Sequence, residues 1–506
     1  MQQQKNTQLL LLVAVFIIAT CGLIYELVAG TLASYLLGDS ITQFSTIIGV
    51  YLFAMGIGSY LSKYINGNLI AWFIKIELLV GLVGGCSAGI LFLVFPIAAS
   101  FRIILYAFVL LTGILVGVEI PLLMRILQDK VAFKDLVSKV FTFDYIGALL
   151  ASLIFPLLLV PQLGLIRTAL FFGILNILVG LYLLHRFKAE IRQASFIYFA
   201  GIMVLILEVI GFAFSEKLMS FSETLAYNDH IVYATSSPYQ RLVITRNKKE
   251  MRLYLNNNLQ FSSADEYRYH EALVHPAMTA AKAPRKVLVL GGGDGLAVRE
   301  ILKYKSVERI VLVDLDPIMT KLFSQQEILT ELNQQSLTNK KVTVFNADAF
   351  TWLRDHDQIF DCVIIDFPDP SNFSVGKLYT TTFYQLLKKR LSNTGVAVIQ
   401  STSPFAAPKS FWCVSETLKA VGFIATAYHN YVPSFGEWGY VMASNQPYKI
   451  PKSFSVKTKY LSPNIMQQML AFPEDMKAHE PLAVNKLNNQ ALVNYFEEEW
   501  GKYLEQ

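Results

Sequence analysis

The acidic positions of the C-terminal half fall where apolar runs give way to turns, and their spacing carries the chemistry. In Val287-Leu-Val-Leu-Gly291-Gly-Gly-Asp294-Gly295 a buried strand runs into a glycine turn and then a helix. Glycines there let the backbone approach a ligand closely at the helix N-terminus, beyond the carboxyl edge of a sheet. Asp294 sets the turn apart from a dinucleotide site, because a pyrophosphate is repelled by a carboxylate at that point; an acid suits a cationic ligand. About 20 residues on, Val313-Asp314-Leu-Asp316 ends a second apolar run, where a carboxylate typically accepts hydrogen bonds from ribose hydroxyls. Glycine turn plus second-strand acid reads as a site for an adenosyl group without phosphates, in the style of S-adenosylmethionine. Asp316, directly before Pro317, reads as a helix N-cap. Asp348 follows a third run, within reach of an adenine amine, and Asp366 and Asp369, in Ile364-Ile-Asp366-Phe-Pro-Asp369-Pro, follow a fourth. Any one of these acids suits a turn or a cap; carboxylates at four strand ends around one crevice suit a ligand of spread positive charge.

The elements that must position them alternate. Candidate strands lie at 286–290, 309–313, 342–345, 362–365 and 396–400, with helical stretches at 297–304, 318–332, 350–354, 380–391 and 408–421. Repeated β-α units of this size imply a parallel sheet covered by helices on both faces, a Rossmann-like α/β domain over 259–450. Before it, short Val/Ile/Leu/Tyr-rich runs at 230–234, 240–246 and 251–256, broken by Ser-Pro and Asn-Lys-Lys, read as a small β-meander over 221–258. The charged segment 451–506 has helical signals at 463–470 and 489–504 and reads as a C-terminal helical appendage.

The N-terminal part belongs to another solvent. Residues 1–214 carry 12 Lys/Arg and 9 Asp/Glu, against 31 and 29 in the remaining 292. Apolar runs long enough to cross a bilayer, about 20 residues, recur at 8–30, 41–62, 76–98, 103–124, 141–160, 164–184 and 195–214, giving an all-α transmembrane bundle of about seven helices. Ala54 and Gly58, one turn apart, let helices approach closely. Glu26, Glu119, Asp144 and Glu208 fall inside spans, where a carboxylate must face the bundle interior, a partner or water; they read either as a cavity for a cation such as a polyamine or as hydrogen-bonded structural acids. Arg125, Lys130, Lys134, Lys139, Arg186, Lys188 and Arg192, with Lys5 and Lys63, fall on one side, and Asp39, Arg102 and Arg167 on the other. Positive charge then places the N-terminus in the cytoplasm. An odd number of spans puts everything after residue 214 on the far side; one span fewer returns it. With 54% hydrophobic and 16% charged residues, disorder, a secreted disulfide scaffold and a purely soluble enzyme are excluded. A net charge of +5 without a basic stripe gives no case for nucleic acid. The four cysteines, Cys21, Cys86, Cys362 and Cys413, are too scattered for a zinc site; His270 and His275 lack ligand-spaced companions, so no metal is expected.

Taken together, Gly291-Gly-Gly-Asp-Gly295, the run Asp265-Glu-Tyr-Arg-Tyr269-His270-Glu271, Gln240 in Ser237-Pro-Tyr-Gln240 and Asp366-x-x-Asp369-Pro370 resemble the spermidine synthase (polyamine aminopropyltransferase) family over roughly 221–445. Gly22-Leu-Ile-Tyr-Glu26 and Tyr35-Leu-Leu-Gly-Asp39, with the tail Asn485-Lys-Leu-Asn-Asn-Gln490, resemble its membrane-fused branch. The resemblance implies transfer of the aminopropyl group of decarboxylated S-adenosylmethionine, as co-substrate and with no cofactor, to an amine such as putrescine, releasing methylthioadenosine. By the same resemblance Asp366 is the base; Tyr269, His270 and Asp294 position the aminopropyl chain and the amines; Asp369 helps hold the acceptor; and Gln240, Asp314, Asp348 and Ala349, with Gly291 and Gly293 of the turn, hold the methylthioadenosine portion. Soluble relatives commonly pair through their N-terminal β region, which implies a homodimer. The chain departs from the family pattern at Asp314, usually Glu, and at Phe435, usually Tyr near the acceptor, while Glu437 reads as an extra carboxylate for a longer amine or as a surface residue. The expectation is an integral, multi-pass enzyme of a bacterial inner membrane whose partners are polyamines and the lipid bilayer. A polyamine transporter or sensor with a non-catalytic synthase-like domain and a methyltransferase are the alternatives; the carboxylate of S-adenosylmethionine itself would meet Asp294.

Overall fold

The computed structural model describes residues 2–504 apart from 38, 39, 96, 99, 129–132 and 228. Asp39 and Lys130, counted above among the loop charges, lie outside the described residues. The chain forms two compact units, Met1–His230 and Ile231–Gln506.

The first unit is helical: α1 (Gln2–Leu37), α2 (Ser40–Leu61), α3 (Leu69–Val94), α4 (Phe101–Leu127), α5 (Phe133–Ile154), α6 (Val160–Arg186) and α7 (Ala194–Ala226). Among the described residues six stretches are long and apolar enough to cross a bilayer, and the fifth, Asp135–Arg186, has 52 residues, more than twice what a crossing needs. That stretch holds both α5 and α6, joined by a π-helical turn at Phe155–Leu159, and Gly164 near the start of α6 leaves helical geometry at φ 71°, ψ 178°. Pro156 within the π turn and Pro161 at the start of α6 lack the amide N–H an unbroken helix needs. Helices α2 and α4 meet through small residues: a side chain at Gly58 would strike the Ile114 carbonyl, and one at Gly113 the Ala54 methyl. Helix α7 runs on to Ala226, past the boundary expected at 214.

In the second unit β1 (His230–Ser236), β2 (Arg241–Asn247), β3 (Glu250–Leu255) and β4 (Asn258–Ser262) form a four-stranded sheet in that order, one strand more than the meander read from sequence. Helix α8 (Glu266–Ala280) leads to β5 (Lys286–Gly291), α9 (Leu296–Ile301), β6 (Arg309–Asp314), β7 (Val342–Asn346), β8 (Phe360–Asp366), β9 (Leu391–Gln400), β10 (Ile424–Val432) and β11 (Gly436–Ser444), and the last seven strands pair in the order β10-β11-β9-β8-β5-β6-β7. The strands from β7 to β9 are parallel, whereas β11 and β10 add antiparallel, so the sheet is mixed where an all-parallel one was expected. Alternation along β5 sends Val287 and Val289 into one hydrophobic layer and Leu288 and Leu290 into the other. A strand buried on both faces in this way is the physical reason its sequence is apolar without a break.

The C-terminal segment is built into this unit. Glu499, on the last helix (Ala491–Leu504), accepts the backbone N–H groups of Lys409 and Ser410 at the start of the helix Pro408–Ala420, at 3.0 and 3.1 Å. The Asn485 amide donates to the carbonyls of Gly376 and Tyr379 at 3.2 and 3.1 Å.

Candidate active site

Parallel pairing of β5 with β8 sets Gly291 opposite Asp366, so the glycine turn and the fourth-strand acid emerge side by side at the carboxyl edge of the sheet. Gly291, Gly292 and Gly295 take φ of 81°, 66° and 76°, the left-handed region that only glycine enters freely. A side chain at Gly292 would meet the Asp366 carboxylate at 3.1 Å, and one at Gly293 the Asp314 carboxylate at 2.7 Å. The turn is therefore folded directly over two of the predicted acids.

Helix α8 contributes Tyr269, whose hydroxyl donates to Asp366 Oδ1 at 2.5 Å. Its ring is held by Tyr440 at 5.6 Å and Phe435 at 6.3 Å between centroids. Asp294 is 8% exposed and accepts the Leu296 N–H at 2.8 Å. Burial pushes its carboxyl up to about 6, with His270 opposing and Asp366 adding to the rise. Burial likewise raises Asp366, opposed by His270 and by the Tyr269 hydroxyl. Asp294 and Asp366 thus share one electrostatic neighbourhood with His270 between their influences. Burial disfavours charge on His270, but the Glu266 carboxylate, 2.8 Å from Nδ1, outweighs it and lifts the imidazole to about 9. Glu266 is itself gripped by both terminal nitrogens of Arg299 at 2.9 Å, a bidentate pair.

Asp314 is fastened to the turn: Oδ2 accepts the Gly293 N–H and Oδ1 the Asp316 N–H, both at 2.9 Å. Burial raises it to about 6 against those two bonds. Asp316 caps the following helix through the Ile318 N–H at 2.9 Å, as read from sequence, and also accepts Gln240 Nε2 at 3.0 Å. Gln240 therefore stands beside the second-strand acids. Asp348 caps the helix Ala349–Asp355 through the Thr351 N–H at 3.0 Å and pairs with Lys377 at 2.7 Å; Ala349 opens that helix. Asp369 accepts Gln400 Nε2 at 2.9 Å, and burial pushes it up to about 6 against Gln400 and Thr402. Glu437 pairs with His429 at 2.8 Å across the β10–β11 hairpin.

Several residues escaped the sequence reading. Tyr379, fully buried, donates within 3.1 Å of both the Pro368 carbonyl and Gln400 Oε1, which ties the end of β9 to the segment carrying Asp369. Thr402 takes φ 57°, a left-handed conformation costly for a β-branched residue, and is held by the Gly439 N–H on its carbonyl at 2.7 Å and by Trp500 Nε1 on its hydroxyl at 3.3 Å. The signal in each case is weak, because amides, hydroxyls and indoles carry no charge pattern. His275 does have acidic companions: its ring and the carboxylates of Glu271 and Glu300 lie within 4.8 Å of one another, all buried. Glu271 is already engaged by the N–H groups of Lys459, Tyr460 and Leu461, and Glu300 by His275, Arg299 and Lys303. The group is a structural network with its charges spoken for.

The family model described as the spermine/spermidine synthase domain matches residues 266–455, a span that holds α8, the glycine turn and the acids of β6 to β8. Among solved structures, spermidine synthase from Thermotoga maritima is similar over 54% of this chain and 88% of its own, at 24% identity and a TM-score of 0.44. Along nearly its whole length the chain is 54% identical to polyamine aminopropyltransferase 2 of Ralstonia nicotianae, over 501 residues covering 97% of this chain and 98% of that one. It is 53% identical over 500 residues to the polyamine aminopropyltransferase of Leptospira interrogans, covering 98% of this chain and 100% of the relative. At that identity and coverage, the chain belongs to the polyamine aminopropyltransferase family.

Proposed function

We propose that this aminopropyltransferase is anchored in a membrane by its first unit and moves the aminopropyl group of decarboxylated S-adenosylmethionine to putrescine, with Asp366 as the base. The observation that carries the reading is the meeting of Asp366, Tyr269 and Asp294 at the glycine turn. A protonated amine has no lone pair, so attack on the methylene beside a sulfonium needs an acceptor for its proton within hydrogen-bond reach. Asp366 takes that proton; the freed nitrogen pair forms the new C–N bond, the C–S bond breaks, and its electrons leave on sulfur as neutral methylthioadenosine. Tyr269 fixes the carboxylate so that its other oxygen, Oδ2, faces the incoming amine. Asp294 and Asp369 hold the remaining positive charges in line, which favours the bimolecular step.

In the same reading the turn glycines Gly291 and Gly293 with Asp314, and Gln240 beside them, hold the ribose side of the donor, while Asp348 and Ala349 lie at its adenine end. His270, kept cationic by Glu266, holds Asp294 and Asp366 ionised until the substrates bring their own charge. Six apolar stretches of crossing length support the anchoring. The test is release of methylthioadenosine by the purified protein from decarboxylated donor and putrescine. Asp366→Asn is expected to lower kcat by about a thousandfold, within the range general-base catalysis supplies. Absence of release with any diamine or triamine would overturn the assignment.

A further inference from the structure

The membrane unit has a second acidic hollow. A cavity of about 210 Å³ is walled by α1, α2, α4 and α5 with Phe73 of α3, and Glu26, Glu119 and Asp144 line it. Glu119 is 2% exposed and its Oε1 meets no hydrogen-bond donor. Glu77 on α3, 0% exposed, stands carboxyl to carboxyl with Glu119, and beyond that carboxyl neither of its oxygens meets a donor. Tyr51, a buried hydroxyl in the wall, is committed to the Gly22 carbonyl at 2.9 Å. Among the described residues no Lys, Arg or His forms an ion pair with any of these four acids. A buried carboxyl oxygen without a donor, as on Glu119, set on a hollow that two further acids line in an apolar bundle, is expensive unless something positive meets it.

We infer that this hollow binds an aliphatic polyamine, with its ammonium ends on Glu119 and the neighbouring acids and its methylene chain along the apolar wall. The volume is many times the 10–15 Å³ or so that one water needs. A bare divalent ion asks for about six or more oxygens around it, whereas Ile18, Leu23, Met55 and Val116 supply hydrocarbon between the acids. Carboxylates set in a hydrocarbon wall are the complement of a chain of methylenes ended by ammonium groups. The choice of a polyamine among organic cations rests on the activity proposed above, since the second unit would consume and produce such molecules.

Equilibrium dialysis of the full chain in lipid nanodiscs against radiolabelled putrescine and spermidine tests the site. Wild type is expected to hold one more equivalent of amine per chain than Glu119→Gln. Ala148→Trp, which fills the hollow and leaves every acid in the sequence, should lose the same equivalent. Methylthioadenosine release by both variants should stay at the wild-type rate, which also reports that they fold. Equal amine binding by wild type and both variants overturns the inference. If wild type binds the extra equivalent yet releases no methylthioadenosine, the hollow stands and the catalytic reading falls.

Discussion

Both units bury carboxylates, and they treat them in opposite ways. In the crevice of the second unit each acid meets donors fixed by the backbone or by a neighbouring side chain: the Leu296 N–H on Asp294, Tyr269 on Asp366, the Gly293 and Asp316 N–H groups on Asp314, and Gln400 on Asp369. In the first unit Glu77 has no donor on either oxygen, and Glu119 and Glu208 each have one oxygen without any. A hydrogen bond to the charged form of an acid favours ionisation, so the crevice is arranged to keep negative charge in place against burial. The bundle spends fewer such donors: a single thiol, Cys86, donates to Glu208. Under the proposed reaction and cation site, the difference separates acids that must be ionised before a ligand arrives from acids whose charge state is free to follow one.

The sharpest way to break this comparison is at Asp294. Replacement by Asn keeps the shape and the Leu296 bond but removes a charge that a cationic substrate must meet. A loss on the order of a hundredfold in kcat/KM is expected, within the 2–5 kcal/mol or so that follows removal of one partner of a buried charge pair. Stability should move the other way. The folded value of about 6 lies above the ordinary 3.8, so the wild-type fold is favoured by this group at low pH and loses that support as pH climbs through about 6. Asn removes the loss, for a gain of up to about 3 kcal/mol above pH 6 and none near pH 3. Thermal unfolding of the full chain at pH 5 and pH 8, alongside release kinetics, reads both effects; equal stability of the two proteins at pH 8 would show that Asp294 carries no buried charge.

A smaller effect is expected at Tyr269. Phe keeps the ring against Tyr440 and Phe435 and deletes the bond to Asp366, worth about tenfold or somewhat more in kcat on the scale of hydrogen bonds to charged groups. Because that bond holds the Asp366 carboxyl down, its removal should also carry the acid limb of the pH profile toward higher pH. A drop in kcat without movement of the limb would leave Tyr269 as packing alone.

The crevice was legible in the sequence to the extent that its chemistry is local. A strand, a glycine turn and an acid are contiguous at 287–294, and the strand-end positions of Asp314, Asp348 and Asp366 follow from counting β-α units. What brings Asp366 beside Gly291 is strand register across 75 positions, and register leaves no trace in composition. Tyr269 rests on a helix that the periodicity of 266–280 does not announce, since nearly every face of it is buried. The β10–β11 hairpin is not among the strands read from sequence, although Pro433-Ser-Phe-Gly436 is a turn signal and Gly436 takes φ 83°. The helix read at 318–332 is two, parted at Gln326, whose extended backbone no breaker residue betrays. Glu77 escaped because a lone acid between Ile76 and Leu78 looks like the edge of a span, and only the bundle puts it against Glu119.

Glu208 gives the mildest test, because it separates an acid that packs from an acid that works. It is 0% exposed, with Cys86 Sγ donating to Oε1 at 3.3 Å. A side chain at Gly85 would meet its carboxyl at 2.6 Å and one at Gly173 at 3.1 Å, so two glycines on α3 and α6 make the space for it. It does not line the hollow that holds Glu119. Gln at this position has the same outline and keeps an acceptor for the thiol. Glu208→Gln is therefore expected to leave methylthioadenosine release and nanodisc amine binding unchanged, and to leave the unfolding temperature in detergent the same or higher, since a neutral amide is cheaper to bury than a carboxylate. A fall in amine binding in this variant would extend the proposed cation site across the bundle to α7, so that Glu208 would no longer count as an acid that only packs.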